Sequence, residues 1–267
     1  MQLVVTGANG MLGHRVVAEA AARGHDVTGT DLPELDLTDE TAVQAALGDR
    51  HVIHCAAYTN VDGAESDEAT ALRVNGDAPG NVARAARHVV ALSTDYVFAG
   101  DATRAYVESD APAPLTAYGR TKLAGERAVL EASPAHAVVR TAWLYGEGGP
   151  NFVDTMLRLG RERDEVRVVV DQVGSPTWTG HLAPALVDLA ERDAAGIFHA
   201  AGGGSCSWHE LTVQAYRLAG LSTPVLETTA AEFVRPAPRP AYSVLGTERD
   251  DGVRLPSWQD GLAGHLI

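Results

Sequence analysis

Tyr118 and Lys122 are the pair of side chains best suited to chemistry. They stand at i and i+4 in a stretch, about Ala117 to Ala132, whose pattern predicts a helix, so they share one face. A phenol ordinarily titrates near pH ~10. A neighbouring ammonium, joined by the positive ring of an oxidised nicotinamide, would lower that value. The phenol could then protonate a carbonyl oxygen as hydride reaches the adjacent carbon. The spacing alone is common on helix faces, but the composition singles it out. The chain has 20 Arg and one Lys, and that Lys falls four residues after one of seven Tyr. Arg is a planar, always charged fork, whereas Lys is a compact ammonium whose pKa shifts with its surroundings. A third group should come from the strand preceding the helix, at Ser93-Thr94-Asp95. A Thr94 hydroxyl there could bond both the carbonyl oxygen and the phenol; Ser93 reads equally well as a strand-end turn residue.

A phosphate cradle precedes this pair in the chain. Thr6-Gly7-x-x-Gly10-x-x-Gly13 lies between an apolar run, Gln2 to Thr6, and a helical stretch from about Met11 to Arg23. Glycines there allow a tight turn and close backbone approach to a pyrophosphate, which the helix N-terminus would face with free N–H groups. Asp31 follows Gly13 by 18 residues, at the end of a second predicted strand, where a carboxylate can take the adenosine ribose hydroxyls. It should repel a 2′-phosphate, which favours NADH over NADPH.

The elements that must position these groups alternate. Strands are predicted at 2–6, 26–30, 51–55, 89–93 and 137–140, with helices near 11–23, 40–47, 69–88 and 117–132 between them. That order argues for an α/β fold, a Rossmann-like doubly wound parallel sheet, with residues 1–146 as the dinucleotide-binding domain. After Gly146 the rhythm loosens into helices near 152–163, 182–192 and 209–219 and strands at 166–170 and 197–200. Residues 147–267 are read mainly as a smaller α/β substrate-binding domain, with segments near 178–203 returning to the first.

Composition bounds the function. A chain of 267 residues with 45% apolar content can bury a core, and its net charge of −14 makes it a poor candidate for nucleic acid or an anionic membrane surface. It has neither an apolar run long enough to span a membrane nor a signal-peptide pattern. Cys55 and Cys206 form no disulfide framework or metal motif, which suits a reducing cytoplasm.

Longer blocks carry a resemblance. TGxxGxxG, Ser93-Thr94-Asp95-Tyr96-Val97-Phe98, YGxTKLxGE from Tyr118 to Glu126, the block from His54 to Glu65, Arg140 to Gly146, Asn151 to Leu157, Asp171 to Thr177 and Arg239 to Ser243 together resemble the dTDP-4-dehydrorhamnose reductase family of extended short-chain dehydrogenase/reductases, over nearly the whole chain. The resemblance implies NADH- or NADPH-dependent reduction of the C4 ketone of a dTDP-linked 6-deoxy-4-keto sugar. It implies Tyr118 as proton donor, Lys122 on the nicotinamide ribose and Thr94 tuning the transfer. Gly7, Gly10, Met11, Leu12 and Gly13 would line the pyrophosphate; Asp31, Asp36 and Leu37 the adenosine; Ala56, Ala57, Tyr58 and Thr59 the length of the cofactor. Thr94, Asp95, Tyr96 and Trp143 would meet the sugar nucleotide, although a Trp in the core is the plain alternative for Trp143. Some relatives dimerise through a carboxylate-held metal. The matching positions here are Arg15 and Gly180, so no metal is expected, and a homodimer stays open.

Two other readings compete. A non-enzymatic dinucleotide-binding subunit, like the regulatory subunit of methionine adenosyltransferase, shares the resemblance but has no use for the Thr94, Tyr118 and Lys122 set. A sugar-nucleotide epimerase or dehydratase shares the Tyr/Lys core; dehydration would add an acidic residue beside Asp95, which is missing.

Overall fold

The computed structural model describes all 267 residues. In chain order the first elements are β1 (Gln2–Thr6), α1 (Gly13–Ala22), β2 (Asp26–Thr30), α2 (Glu40–Leu47), β3 (His51–His54), α3 (Val61–Ser66), α4 (Glu68–Leu72), a π-helical turn (Arg73–Asp77), α5 (Ala78–Ala85) and β4 (His88–Thr94). Next come α6 (Ala117–Ala132), β5 (Ala137–Thr141), β6 (Leu144–Tyr145), α7 (Phe152–Glu162), β7 (Val166–Val169), β8 (Val173–Gly174), β9 (Thr177–Trp178) and α8 (Thr179–Glu191). The chain ends with β10 (Gly196–His199), β11 (Cys206–Ser207), α9 (Trp208–Leu218), β12 (Val225–Thr228) and α10 (Trp258–Leu266).

Six strands form one parallel sheet in the order β10-β5-β4-β3-β1-β2. The central strands are buried runs of Val, Ile and Leu, as sheets covered on both faces require. Helices α1 and α8 close one face over Val5, Ile53 and Val90. On the other face α2, α5 and α6 cover Val4, Val52 and Val89. Winding reverses between β1 and β3, and ligands of such sheets bind beyond the carboxyl ends of the strands at that reversal. The register sets Thr6 level with His54 and Thr94 level with Thr141, which brings the strand ends to one rim.

A smaller unit sits over that rim. Strands β7 and β12 pair in parallel, and α7, α9 and α10 enclose a separate core around Leu157, Leu211, Tyr216 and Leu262. Between its parts, α8 and β10 run back into the large sheet, where β10 pairs with β5.

The helix read as 69–88 is three pieces. Short α4 gives way to the π turn, α5 ends at Ala85, and β4 begins at His88. The interruption has a cause at Asn75, whose amide is withdrawn from the helix surface to bond both the N–H and the C=O of Tyr58, at 2.8 and 3.0 Å. An extra residue in the turn lets that side chain face inward; π-bulges frequently mark functional sites.

Candidate active site

The rim carries one large cleft of about 820 Å³. Gly7, Gly10, Met11, Leu12 and Gly13 form one end, with Asp31, Asp36 and Leu37 beyond them. Ala56, Ala57 and Thr59 run along its length to Thr94, Asp95, Tyr96, Tyr118, Lys122 and Trp143. Of the residues expected to act on or bind cofactor and substrate, only Tyr58 stays outside the lining. Its backbone is clamped by Asn75 and its ring packs against Ala64, Ala71 and Ala117, behind the wall instead of on it.

The glycine end is shaped by missing side chains. Gly7 has φ of 68°, a left-handed conformation that favours glycine, and a Cβ there would lie 2.6 Å from the Ala56 nitrogen. A Cβ on Gly13 would strike the Gly7 carbonyl oxygen, so this residue lets α1 start directly against the turn. Asp31 accepts from the N–H of Asn9 at 3.1 Å through Oδ2 and from its neighbour Leu32 at 2.9 Å through Oδ1. Its carboxylate therefore ties the end of β2 to the cradle.

Helix α6 presents the phenol and the ammonium. Thr116 caps it by accepting from Gly119 N–H at 3.0 Å, and Gly119 has no side chain to hold the helix away from the Tyr96 carbonyl. Lys122 is 5% exposed and its Nζ donates to the Leu92 carbonyl at 2.7 Å, which pins the lysine to the end of β4. One turn on, Glu126 receives Arg140 in a buried two-point ion pair, at 2.9 and 2.7 Å, and also the Ser93 hydroxyl. That cluster joins α6, β4 and β5 directly below the reactive groups. Ser93 thus spends its hydroxyl on Glu126, while Thr94 directs its own at Asp95 Oδ1, 3.0 Å away.

Electrostatics correct one sequence expectation. The groups that set the Tyr118 pKa in this structure do not include Lys122. Burial pushes the phenol up to about 12, the Asp95 charge adds to the rise, and the Thr94 hydroxyl opposes it. Burial brings Lys122 down to about 8, against Glu126 and Cys55, which favour its charge. Burial likewise lifts Asp95 to about 6, opposed by the Ser243 and Thr94 hydroxyls, and its Oδ2 is buried with no hydrogen-bond partner.

The opposite wall is aromatic. Trp143 has φ of 47°, rare for a bulky residue, and its ring stacks on Trp208 with centroids 3.4 Å apart and planes 4° from parallel. The glycine at 174 leaves room for that ring. Trp143 therefore both packs and lines the cleft. Trp208 was not singled out in the sequence; it follows its partner by 65 positions, and no local spacing links them. Gly148, Gly149 and Pro150 also line the cleft unanticipated, the glycines close to His14 and Met11. Away from the cleft, Arg15 lies with Trp178 and Gly180 in a small surface hollow, its guanidinium 5.7 Å from the indole centroid.

Comparisons with known proteins agree on one family. The family model described as RmlD substrate binding domain matches residues 1–266. The chain is 47% identical to a dTDP-4-dehydrorhamnose reductase of Streptomyces griseus, over 92% of this chain and 86% of that one. It is 46% identical to a probable dTDP-4,6-dihydroxy-2-methyloxan-3-one 4-ketoreductase of Streptomyces antibioticus, over 97% and 92%. Among solved structures, a dTDP-4-dehydrorhamnose reductase from Bacillus anthracis in complex with NADP superposes with a TM-score of 0.96 at 39% identity, covering 100% of this chain and 98% of that one.

Proposed function

The chain belongs to the RmlD substrate binding domain family, and we propose that it is an NAD(P)H-dependent reductase of the C4 ketone of a dTDP-linked 6-deoxy-4-keto sugar, with dTDP-4-dehydro-L-rhamnose as the substrate and dTDP-L-rhamnose as the product. The observation that carries this reading is one cleft that holds a side-chain-free glycine cradle at one end and Tyr118, Lys122 and Thr94 at the other.

The residues present fit a dinucleotide. Gly7 and Gly13 clear the backbone for a pyrophosphate, and the first turn of α1 turns its free N–H groups toward it. Asp31, tied to the cradle through the Asn9 N–H, would take the ribose diol, and its charge favours NADH over a cofactor bearing a 2′-phosphate. When bound, the reduced dinucleotide supplies the hydride.

The chain's own residues manage the proton. Tyr118, with its pKa near 12, is fully protonated at neutral pH, so the donor form is the resting form. It gives its proton to the ketone oxygen, whose alkoxide would be more basic than a phenolate. Lys122 uses one of three N–H groups on Leu92. The other two are free for the nicotinamide ribose and for the negative charge left on Tyr118. Thr94, by turning its hydroxyl from Asp95, steadies the phenol and the ketone oxygen. The Trp143–Trp208 stack walls the sugar side and keeps water from the reacting carbon. Asp95 and Tyr96 complete the sugar contact. Two free cysteines fit a reducing, cytoplasmic setting.

The test is direct. Purified protein is offered NADH or NADPH with a panel of 4-keto sugar nucleotides, and absorbance at the reduced-nicotinamide band is followed. Consumption with the dTDP-4-keto-6-deoxy sugars, faster with NADH, is the expected result. No consumption with any of them, together with co-purification of a synthetase, would favour the non-enzymatic subunit instead.

A further inference from the structure

The block that opens at Asn151 and Phe152 has no task in the chemistry of the reductase reading. Asn151 is 8% exposed and sits between β6 and α7. Its Oδ1 caps α7 by accepting from the Asp154 N–H at 2.9 Å, which is all a helix cap requires. Its Nδ2 nevertheless reaches back, to the Gly146 carbonyl at 2.9 Å and the Gly149 carbonyl at 3.3 Å. One buried amide thus staples both ends of the loop 146–149 to the start of α7, and the loop is a short, fixed arch.

The arch leans on the glycine cradle. Gly148 has φ of 84°, and a Cβ on it would lie 2.6 Å from the His14 ring. A Cβ on Gly149 would lie 3.1 Å from the Met11 Cβ. His14 is itself held at the cradle, with Nδ1 3.0 Å from the Gly10 carbonyl. Gly148, Gly149 and Pro150 all line the cleft. The N–H groups of Gly148 and Gly149 have no partner within the chain. Successive free N–H groups on a bare backbone suit an anion, and the cradle beside them is where a pyrophosphate would lie.

The same arch is tied to the sugar wall. Phe152, the first residue of α7, packs on Trp208 with ring centroids 4.3 Å apart, and Trp208 stacks on Trp143. Helices α7 and α9 form one body. Gly160 leaves room for the Tyr216 ring, and the Tyr216 hydroxyl donates to the Met156 carbonyl at 2.8 Å. Contacts at the tryptophan pair and contacts at the cradle therefore bear on one rigid piece.

We propose that Gly148 and Gly149, positioned by Asn151, cover the pyrophosphate of the dinucleotide, and that the Phe152–Trp208–Trp143 contact tightens this cover once a sugar is seated. The assignment rests on the reductase reading, from which the dinucleotide and the sugar come. Such coupling is reciprocal: a sugar nucleotide that fixes the piece strengthens cofactor binding, and bound cofactor strengthens the sugar nucleotide by the same factor.

The experiment times NADH release from the full chain by stopped-flow fluorescence, with and without saturating dTDP-L-rhamnose, which cannot accept a hydride. In wild type the sugar nucleotide should slow release about fivefold or more. Asn151→Ser keeps a capping oxygen but cannot reach the two carbonyls. Gly149→Val wedges the arch away from Met11 without touching the cap. Both variants should release NADH about fivefold faster than wild type or more, with dTDP-L-rhamnose affinity in the absence of cofactor within twofold. Phe152→Leu should keep the rate measured without sugar nucleotide and lose most of the slowing. Release within twofold of wild type in both arch variants would overturn the cover. A wild-type rate indifferent to dTDP-L-rhamnose, or slowing that persists in full in Phe152→Leu, would overturn its tie to the sugar wall. A wild-type chain that bound neither NADH nor dTDP-L-rhamnose would instead strike the reductase reading.

Discussion

Lys122→Met should make the protein more stable and nearly inactive. Lys122 is an ammonium at 5% exposure, and burial brings its pKa from 10.5 to about 8. At about 1.4 kcal/mol per pKa unit, keeping that charge folded costs roughly 3 kcal/mol at pH 7. The sign follows from proton counting. Above the unfolded value of 10.5 neither state holds the proton and there is no penalty; between there and about 8 the unfolded chain binds more protons, so stability falls as pH falls. Below about 8 the penalty is complete. Met keeps the stem and removes the charge, but it also removes the donor to the Leu92 carbonyl, worth about 1 kcal/mol net. The variant should therefore exceed wild type by about 2 kcal/mol at pH 7, several degrees in Tm, and the gap should close toward zero near pH 9.5. Thermal and urea unfolding at both pH values, beside kcat, provide the assay. A variant less stable than wild type at pH 7, or a gap that stays flat between the two pH values, would show that the buried ammonium carries no such penalty. Such a trade between stability and function is common where a site demands a buried charge.

Other perturbations separate the remaining parts. Tyr118→Phe removes the proton donor and should lower kcat by about 10²- to 10⁴-fold, with NADH affinity nearly unchanged in a fluorescence titration. Glu126→Ala leaves Arg140 charged and buried at 1% exposure and should cost about 3–5 kcal/mol in urea unfolding, whereas Glu126→Gln with Arg140→Met should recover much of it. Asp31→Ser removes the charge that faces a 2′-phosphate, so the ratio of kcat/KM for NADPH over NADH should rise about tenfold; an unchanged ratio would clear Asp31 of the preference.

What could be read from the sequence was local. The glycine spacing after β1 and the four-residue step from Tyr118 to Lys122 are backbone periodicities, and they determine which groups face the same way. The alternation of apolar runs likewise gave the parallel sheet. What could not be read depends on partners distant in the chain. The helix near 69–88 breaks because Asn75 must reach Tyr58, a need that no propensity within the helix records. Tyr58 turns inward for the same reason. Trp208 joins the site only because the smaller unit folds its α9 onto Trp143. Arg235 and Arg239 stand in a proline-rich run whose visible message is only that it cannot be helix; their meeting with Asp62 spans more than 170 positions. The rise in the Tyr118 pKa also lies outside the sequence, because it comes from burial and the Asp95 charge, while the lysine that the sequence places nearby is directed by the fold at Leu92.

In the proposed reaction, hydride reaches the C4 carbon of a dTDP-linked sugar while Tyr118 protonates its oxygen. The most direct measurement uses NADH deuterated at the transferring C4 position and a dTDP-4-keto-6-deoxy sugar, with the product analysed by mass and NMR. One deuterium on the sugar C4, lost together with turnover in Tyr118→Phe, is the predicted result. Oxidised cofactor without label at that carbon, or labelled product formed at the wild-type rate by Tyr118→Phe, would contradict it.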